Sequence, residues 1–121
     1  FRQVMTGHPE ITAVICTTDT LAIGSIAEAR KLAFKVPQSL SITGFDDIEL
    51  AAQIDPPLTT ISVPASEIGR GAADYLINAI SGISIPKSIQ LPYRLIMRGS
   101  TAAAPPSRAR KSVAPKKLRK R

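Results

Sequence analysis

Strand-length apolar runs alternating with amphipathic helical stretches predict an α/β fold built on a largely parallel sheet. Two details support that class. The first run, Ile11–Cys16, is β-branched and nearly continuous in hydrophobicity, the pattern of a strand covered on both faces. The polar residues Thr17-Thr18-Asp19 and Asp46-Asp47 directly follow such runs, at the carboxyl ends where α/β sheets carry their binding groups.

Phe1 to Gly7 reads as the end of a helix, with Phe1, Val4 and Met5 on one side and Gly7 and Pro9 stopping it. After the Ile11–Cys16 strand, Ala22, Ile23, Ile26, Ala29 and Ala33 recur on one face while Ser25, Glu28 and Lys31 fall opposite. That predicts an amphipathic helix over Leu21–Ala33, with Asp19 placed to accept from its free N–H groups. Leu40–Phe45 is the second strand, and Ile48–Ile54 a short helix with Asp46 or Asp47 at its entry, stopped by Pro56-Pro57. Leu58–Val63 is the third strand. Ser66 is placed to cap a helix reaching residue 81, with the stripe Ile68, Ala72, Leu76, Ala79 and Ile80, and Gly82 offers φ > 0 at its end. Ser88–Met97 closes the folded part as extended chain that Pro92 divides into two short strands.

Composition narrows the function classes. The 121 residues are 44% apolar, 21% charged and 4% aromatic, a size that suits one domain. The longest uninterrupted apolar run, Ala13–Cys16, is far short of the ~20 residues of a membrane span. A single cysteine makes no internal disulfide, and no secretory pattern follows Phe1, so the chain reads as part of a longer, cytoplasmic protein. The net charge of +7 is unevenly placed. Residues 102–121 hold eight Lys/Arg and no acid, whereas residues 1–101 hold eight Lys/Arg against all nine Asp/Glu. That basic tail has almost nothing large and apolar to bury and is expected to be disordered.

Catalysis finds little support. His8 stands in a turn, Cys16 sits inside an apolar strand, and one of each cannot assemble a zinc site or a nucleophile–base pair. Gly69 and Gly71 lie within a helix pattern, not in a phosphate-cradling loop. No enzyme activity and no cofactor are expected. The polar groups at the strands remain: Thr17-Thr18-Asp19 after the first, Asp46-Asp47 after the second and Thr59-Thr60 around the third. A carboxylate accepts two hydrogen bonds from a vicinal diol, so these groups could grip a polyol. Asp19, Asp46 and Asp47 each have two readings, helix cap and ligand contact, which adjacent residues can divide between them.

The ordered series Thr17-Thr18-Asp19-Thr20-Leu21-Ala22-Ile23-Gly24, Val36-Pro37, Leu40-Ser41-Ile42-Thr43-Gly44-Phe45-Asp46-Asp47 and Pro57-Leu58-Thr59-Thr60-Ile61 resembles the lactose-repressor (LacI/GalR) family of bacterial transcription regulators. Pro64-Ala65-Ser66-Glu67-Ile68-Gly69, Leu91-Pro92 and Leu95-Ile96-Met97-Arg98-Gly99-Ser100-Thr101 continue the match through residue 101. The resemblance implies the C-terminal part of an effector-binding domain of periplasmic-binding-protein-like (type I) fold, two α/β lobes around a ligand cleft. Residues about 1–62 and 93–101 would belong to the C-terminal lobe, and about 65–92 to the other. It also implies ligand contact by Asp46, the first acid of the Gly-Phe-Asp-Asp motif, and by Thr18, where the family usually has Asn. Asp19, the acid after it, is implied to be structural or to border the site, and Phe45 to form its wall. A threonine hydroxyl has a shorter reach and fewer bonds than an asparagine amide, which points to an altered ligand or a bridging water.

The partners implied are a small-molecule effector, a sugar or related polyol; a second copy of the chain, through the helix at 20–33 and the segment about 48–55; and operator DNA through a headpiece that this sequence does not contain. The competing class is a periplasmic solute-binding transport protein of the same architecture. The tail reads either as a solvated extension or as a non-specific contact to DNA phosphates.

Overall fold

The computed structural model describes residues 1–84, 86 and 88–104. Its elements run α1 (Arg2–Gly7), β1 (Ala13–Ile15), α2 (Asp19–Lys31), β2 (Ser41–Thr43), α3 (Glu49–Gln53), β3 (Thr60–Ser62), α4 (Ala65–Ile80) and β4 (Arg94–Ile96). β1 and β2 pair in parallel, with Val14 opposite Ile42. β3 and β4 pair antiparallel, with Ile61 opposite Leu95. Parallel bridges Thr43–Thr59 and Asp46–Ser62 join the two ladders. The first three strands therefore end at the same edge, and the expected α/β class holds.

The core gathers Met5 of α1, Ala22, Ile26 and Ala29 of α2, Leu40 and Ile42 around β2, Ala51 of α3 and Leu58 before β3. Ala22, Ile26 and Ala29 lie four and three residues apart, so one stripe of α2 covers the sheet. Arg2 of α1 donates to the Glu28 carboxylate of α2 and fixes the two helices together. Burying Ile26, Ile42 and Leu58 stabilises the lobe by about 1.5–3 kcal/mol for each side chain.

Several local expectations are corrected. Thr18, not Asp19, caps α2: its side-chain oxygen accepts from the Leu21 N–H at 3.3 Å. Asp19 is drawn into the interior by stronger partners described below. Neither Asp46 nor Asp47 caps α3, whose N-cap is Ile48 with no side-chain cap bond. Helix α4 likewise begins after Pro64 rather than Ser66, because Pro64 supplies the preset φ and its C=O accepts from Ile68. β1 is shorter than expected and not covered on both faces, since Ile15 is 85% exposed. Among the described residues, 88–97 contain one strand, β4, rather than two.

The end of the folded part is also later than composition suggested. Ser100 is fully buried, and its hydroxyl donates to the Ile42 C=O at 2.6 Å while accepting from the Thr59 N–H at 2.8 Å. It thus bridges β2 to the entry of β3. Ala102, placed in the tail by composition, donates its N–H to Ser41 Oγ at 3.2 Å. From residue 105 onward the expected disordered tail lies outside the described residues.

Candidate functional site

The edge where β1, β2 and β3 end brings three of the expected polar residues together. The Asp19 N–H donates to the Phe45 C=O at 2.8 Å, and the Asp46 N–H donates to the Ile61 C=O at 2.9 Å. Thr18 and Asp46 therefore lie just beyond the ends of β1 and β2, each adjacent in sequence to one partner of the Asp19–Phe45 hydrogen bond. Thr18 spends one lone pair on its cap, and among the described residues its hydroxyl donates to no partner.

The two adjacent acids have different surroundings. Asp47 accepts from Arg98 at 2.6 Å in a pair that is about four-fifths buried on each side. The Asp46 carboxylate is exposed and, among the described residues, makes no hydrogen bond or ion pair. Its backbone has φ 112°, and Asp47 follows at φ 57°. Side chains rarely adopt this region, and each such residue typically costs about 1–3 kcal/mol. The turn is therefore strained where it offers a free carboxylate to solvent.

Asp19 stands behind this edge. It is fully buried, and Oδ2 accepts from the Ile48 N–H at 2.9 Å while Oδ1 accepts from Thr60 Oγ1 at 2.5 Å. Both oxygens are occupied, so Asp19 organises the start of α2, the entry to α3 and β3. Phe45 is 38% exposed and forms one wall of an apolar groove of about 440 Å³, with Ile61, Val63, Pro64, Ile68 and Tyr93 on its other sides. The arrangement can hold a ring with one apolar face and hydroxyls directed at a carboxylate.

Sequence reading had not singled out Ile61, Val63, Tyr93 or Arg98 for this site. Tyr93 carried one signal, an aromatic residue directly after Pro92 in a chain poor in aromatics. Arg98 carried another, a lone cation after the apolar run Leu95–Met97.

Comparison with known proteins agrees with this architecture. The family model described as "Periplasmic binding protein-like domain" matches residues 1–101. Over 103 residues the chain is 44% identical to the HTH-type transcriptional regulator MalR of Streptomyces coelicolor, covering 84% of this chain and 30% of that one. It is 45% identical over 95 residues to the HTH-type transcriptional repressor CytR of Escherichia coli K12, covering 78% of this chain and 28% of the repressor. Among solved structures, a LacI family transcriptional regulator from Bifidobacterium animalis subsp. lactis superposes with a TM-score of 0.76 at 32% identity, over 85% of this chain and 38% of that one. The transcriptional regulator CelR in complex with cellobiose also superposes with a TM-score of 0.76, at 27% identity, over 82% of this chain and 31% of that one. The chain thus spans about 30% of the length of the curated relatives it matches. These relatives are transcriptional regulators, which favours an effector-binding fragment of a regulator over a transport protein. By a match that runs over residues 1–101, the chain belongs to the periplasmic binding protein-like domain family.

Proposed function

We propose that this chain is the part of a LacI-type regulator that senses a small effector, and that Asp46 is its principal ligand-binding acid. The observation carrying the reading is the free Asp46 carboxylate on a strained turn at the strand ends, beside the groove walled by Phe45. A sugar or related polyol fits that pairing of carboxylate and apolar wall, and cellobiose in the similar CelR structure is a ligand of that class. Thr18 contributes a hydroxyl donor, and Asp19 orients the strand ends from inside. No catalytic step or cofactor belongs to this reading.

The distribution of the core supports a division between lobes. Among the described residues the buried apolar side chains lie between Met5 and Leu58, whereas α4 has no buried residue. The reading therefore keeps residues about 1–62 and 93–101 in one lobe and about 65–92 in the other, as the resemblance implies, and the unburied α4 supports it. The effector changes the balance between open and closed lobes only by its differential affinity for them, of the order of ~1–3 kcal/mol. In the full-length protein that balance would act on operator DNA through a headpiece, in a cytoplasmic homodimer.

Calorimetry on the full-length protein with a sugar panel that includes cellobiose tests the reading. Asp46→Ala should weaken binding by about 1.5–3 kcal/mol with little loss of fold. Unchanged affinity would overturn the assignment.

A further inference from the structure

We propose that Arg98 is the positioning residue of the effector site: from the segment that follows β4 it holds the Asp46–Asp47 turn in its left-handed backbone and so aims the Asp46 carboxylate. The inference rests on the reading of Asp46 as the ligand-binding acid.

Two successive non-glycine residues with positive φ do not persist unless their surroundings enforce them. One restraint is local to the strands, the Asp46 N–H on the Ile61 C=O. The other comes from Arg98. One guanidinium nitrogen donates to Asp47 Oδ1 at 2.6 Å, while the second donates to the Leu58 C=O at 2.9 Å. The Arg98 backbone N–H in turn donates to Thr59 Oγ1 at 3.0 Å. Arg98 is therefore fastened to the entry of β3 at two points and reaches across to Asp47 with the rest of its fork. A planar fork can serve two acceptors at fixed angles, whereas a lysine ammonium offers a compact point charge.

The position of Arg98 in the chain adds a consequence. It lies two residues beyond β4 (Arg94–Ile96), on the path that returns from the segment assigned to the other lobe. A shift of that path pulls on Asp47, and Asp46 turns with it. The contact therefore ties the direction of the ligand-binding carboxylate to the placement of the crossover, a differential contact of the kind an effector needs to favour one lobe arrangement.

The test uses the full-length protein with Arg98→Met, Arg98→Lys and Asp46→Asn, and two readouts. The first needs no ligand: against the wild-type crystal structure, that of Arg98→Met should show the Asp46–Asp47 backbone leaving positive φ and the Asp46 carboxylate displaced. An unchanged turn overturns the inference. The second is cellobiose affinity by calorimetry at 10 °C, well below unfolding, where mere loss of stability leaves the affinity of the folded protein untouched. Arg98→Met should weaken binding at least tenfold and Arg98→Lys by less. Affinity within twofold of wild type in Arg98→Met, with binding lost in Asp46→Asn, overturns the inference and leaves the Asp46 reading standing. Wild-type affinity in Asp46→Asn overturns that reading, and the crystal structures then decide the role of Arg98 alone. They also decide alone if the wild-type protein takes no cellobiose. Should Arg98→Met fail to fold, Arg98→Lys carries both readouts, with a smaller displacement expected.

Discussion

The Asp19 carboxylate occupies the space that a side chain on Gly44 would need: a Cβ added there would stand 2.1 Å from Asp19 Oδ1 and 2.9 Å from Leu58 Cδ2. Gly44 is required by this close approach. The same carboxylate accepts from the Ile48 N–H and Thr60 Oγ1, so a displaced Asp19 leaves the buried Thr60 hydroxyl and the partly buried Ile48 N–H without this partner. Gly44→Ala should therefore destabilise the full-length protein by about 1–3 kcal/mol or more in denaturant unfolding. Adding Asp19→Ala removes the closest of these clashes, the one with Oδ1, and the double variant should fall short of additivity by at least about 0.5 kcal/mol. Additive losses would show that Gly44 and Asp19 do not share the space described.

Contacts distant in sequence account for what the residues did and did not reveal. The three parallel strands were legible because apolar runs at Ile11–Cys16, Leu40–Phe45 and Leu58–Val63 contain β1, β2 and β3. The choice of cap was not. Thr18 and Asp19 are both good caps, and what decides between them is a pair of donors 29 and 41 residues away that claim the aspartate. Asp46 was legible as an acid at a strand end, but the difference between it and Asp47 was not, because the Arg98 that pairs with Asp47 lies 51 residues away. Ser100 gave no local sign of its burial, because its partners, Ile42 in β2 and Thr59 at the entry of β3, are brought together only by a pairing that the sequence does not align.

Acid should loosen the join between α1 and α2. The Arg2 guanidinium, with a smaller contribution from Lys31, holds the Glu28 carboxyl below its ordinary value of 4.5. A carboxyl lowered on folding adds stability that is present above the unfolded value and disappears as pH falls through the folded one. The loss should begin below about pH 4.5, and Glu28→Gln should lower stability at pH 7 while flattening that acid limb. Parallel acid limbs in the two proteins, followed by urea midpoints, would remove Glu28 from this account.

The basic tail should bind duplex DNA without regard to sequence. Residues 102–121 carry eight cations and no acid. Fused to a carrier protein that has no DNA affinity, they should bind random and operator-like duplexes alike. The logarithm of affinity should fall with that of salt by up to ~0.9 per phosphate neutralised. In the full-length protein a cut after Ala104 is the informative truncation, since Ala102 is hydrogen-bonded to Ser41. A preference for one sequence, or binding that ignores salt, would contradict a purely electrostatic tail.

The 121-residue chain by itself should not melt as a cooperative unit. Helix α4 buries none of its residues, and its apolar stripe is open to solvent, with Ile68 46%, Leu76 61% and Ile80 86% exposed. A groove of about 660 Å³ runs beside it, lined by Ile68, Tyr75, Leu76, Ile89 and Leu91. Leaving ~200–300 Å² of apolar surface uncovered forfeits about 5–8 kcal/mol at roughly 25 cal/mol per Å². A domain's whole stability is commonly about 5–15 kcal/mol, so this deficit alone rivals it. The exposed Ile15 on β1 adds a second apolar surface at a sheet edge, where unpaired strand groups invite association between copies. The core between Met5 and Leu58 should retain structure while α4 frays, giving a broad calorimetric transition and concentration-dependent aggregation. Polar substitutions at Leu76 and Ile80 should relieve the aggregation without changing the melt of that core, because neither side chain belongs to it. A sharp two-state melt from a monodisperse sample of the 121-residue chain would show that α4 needs no partner beyond the residues described.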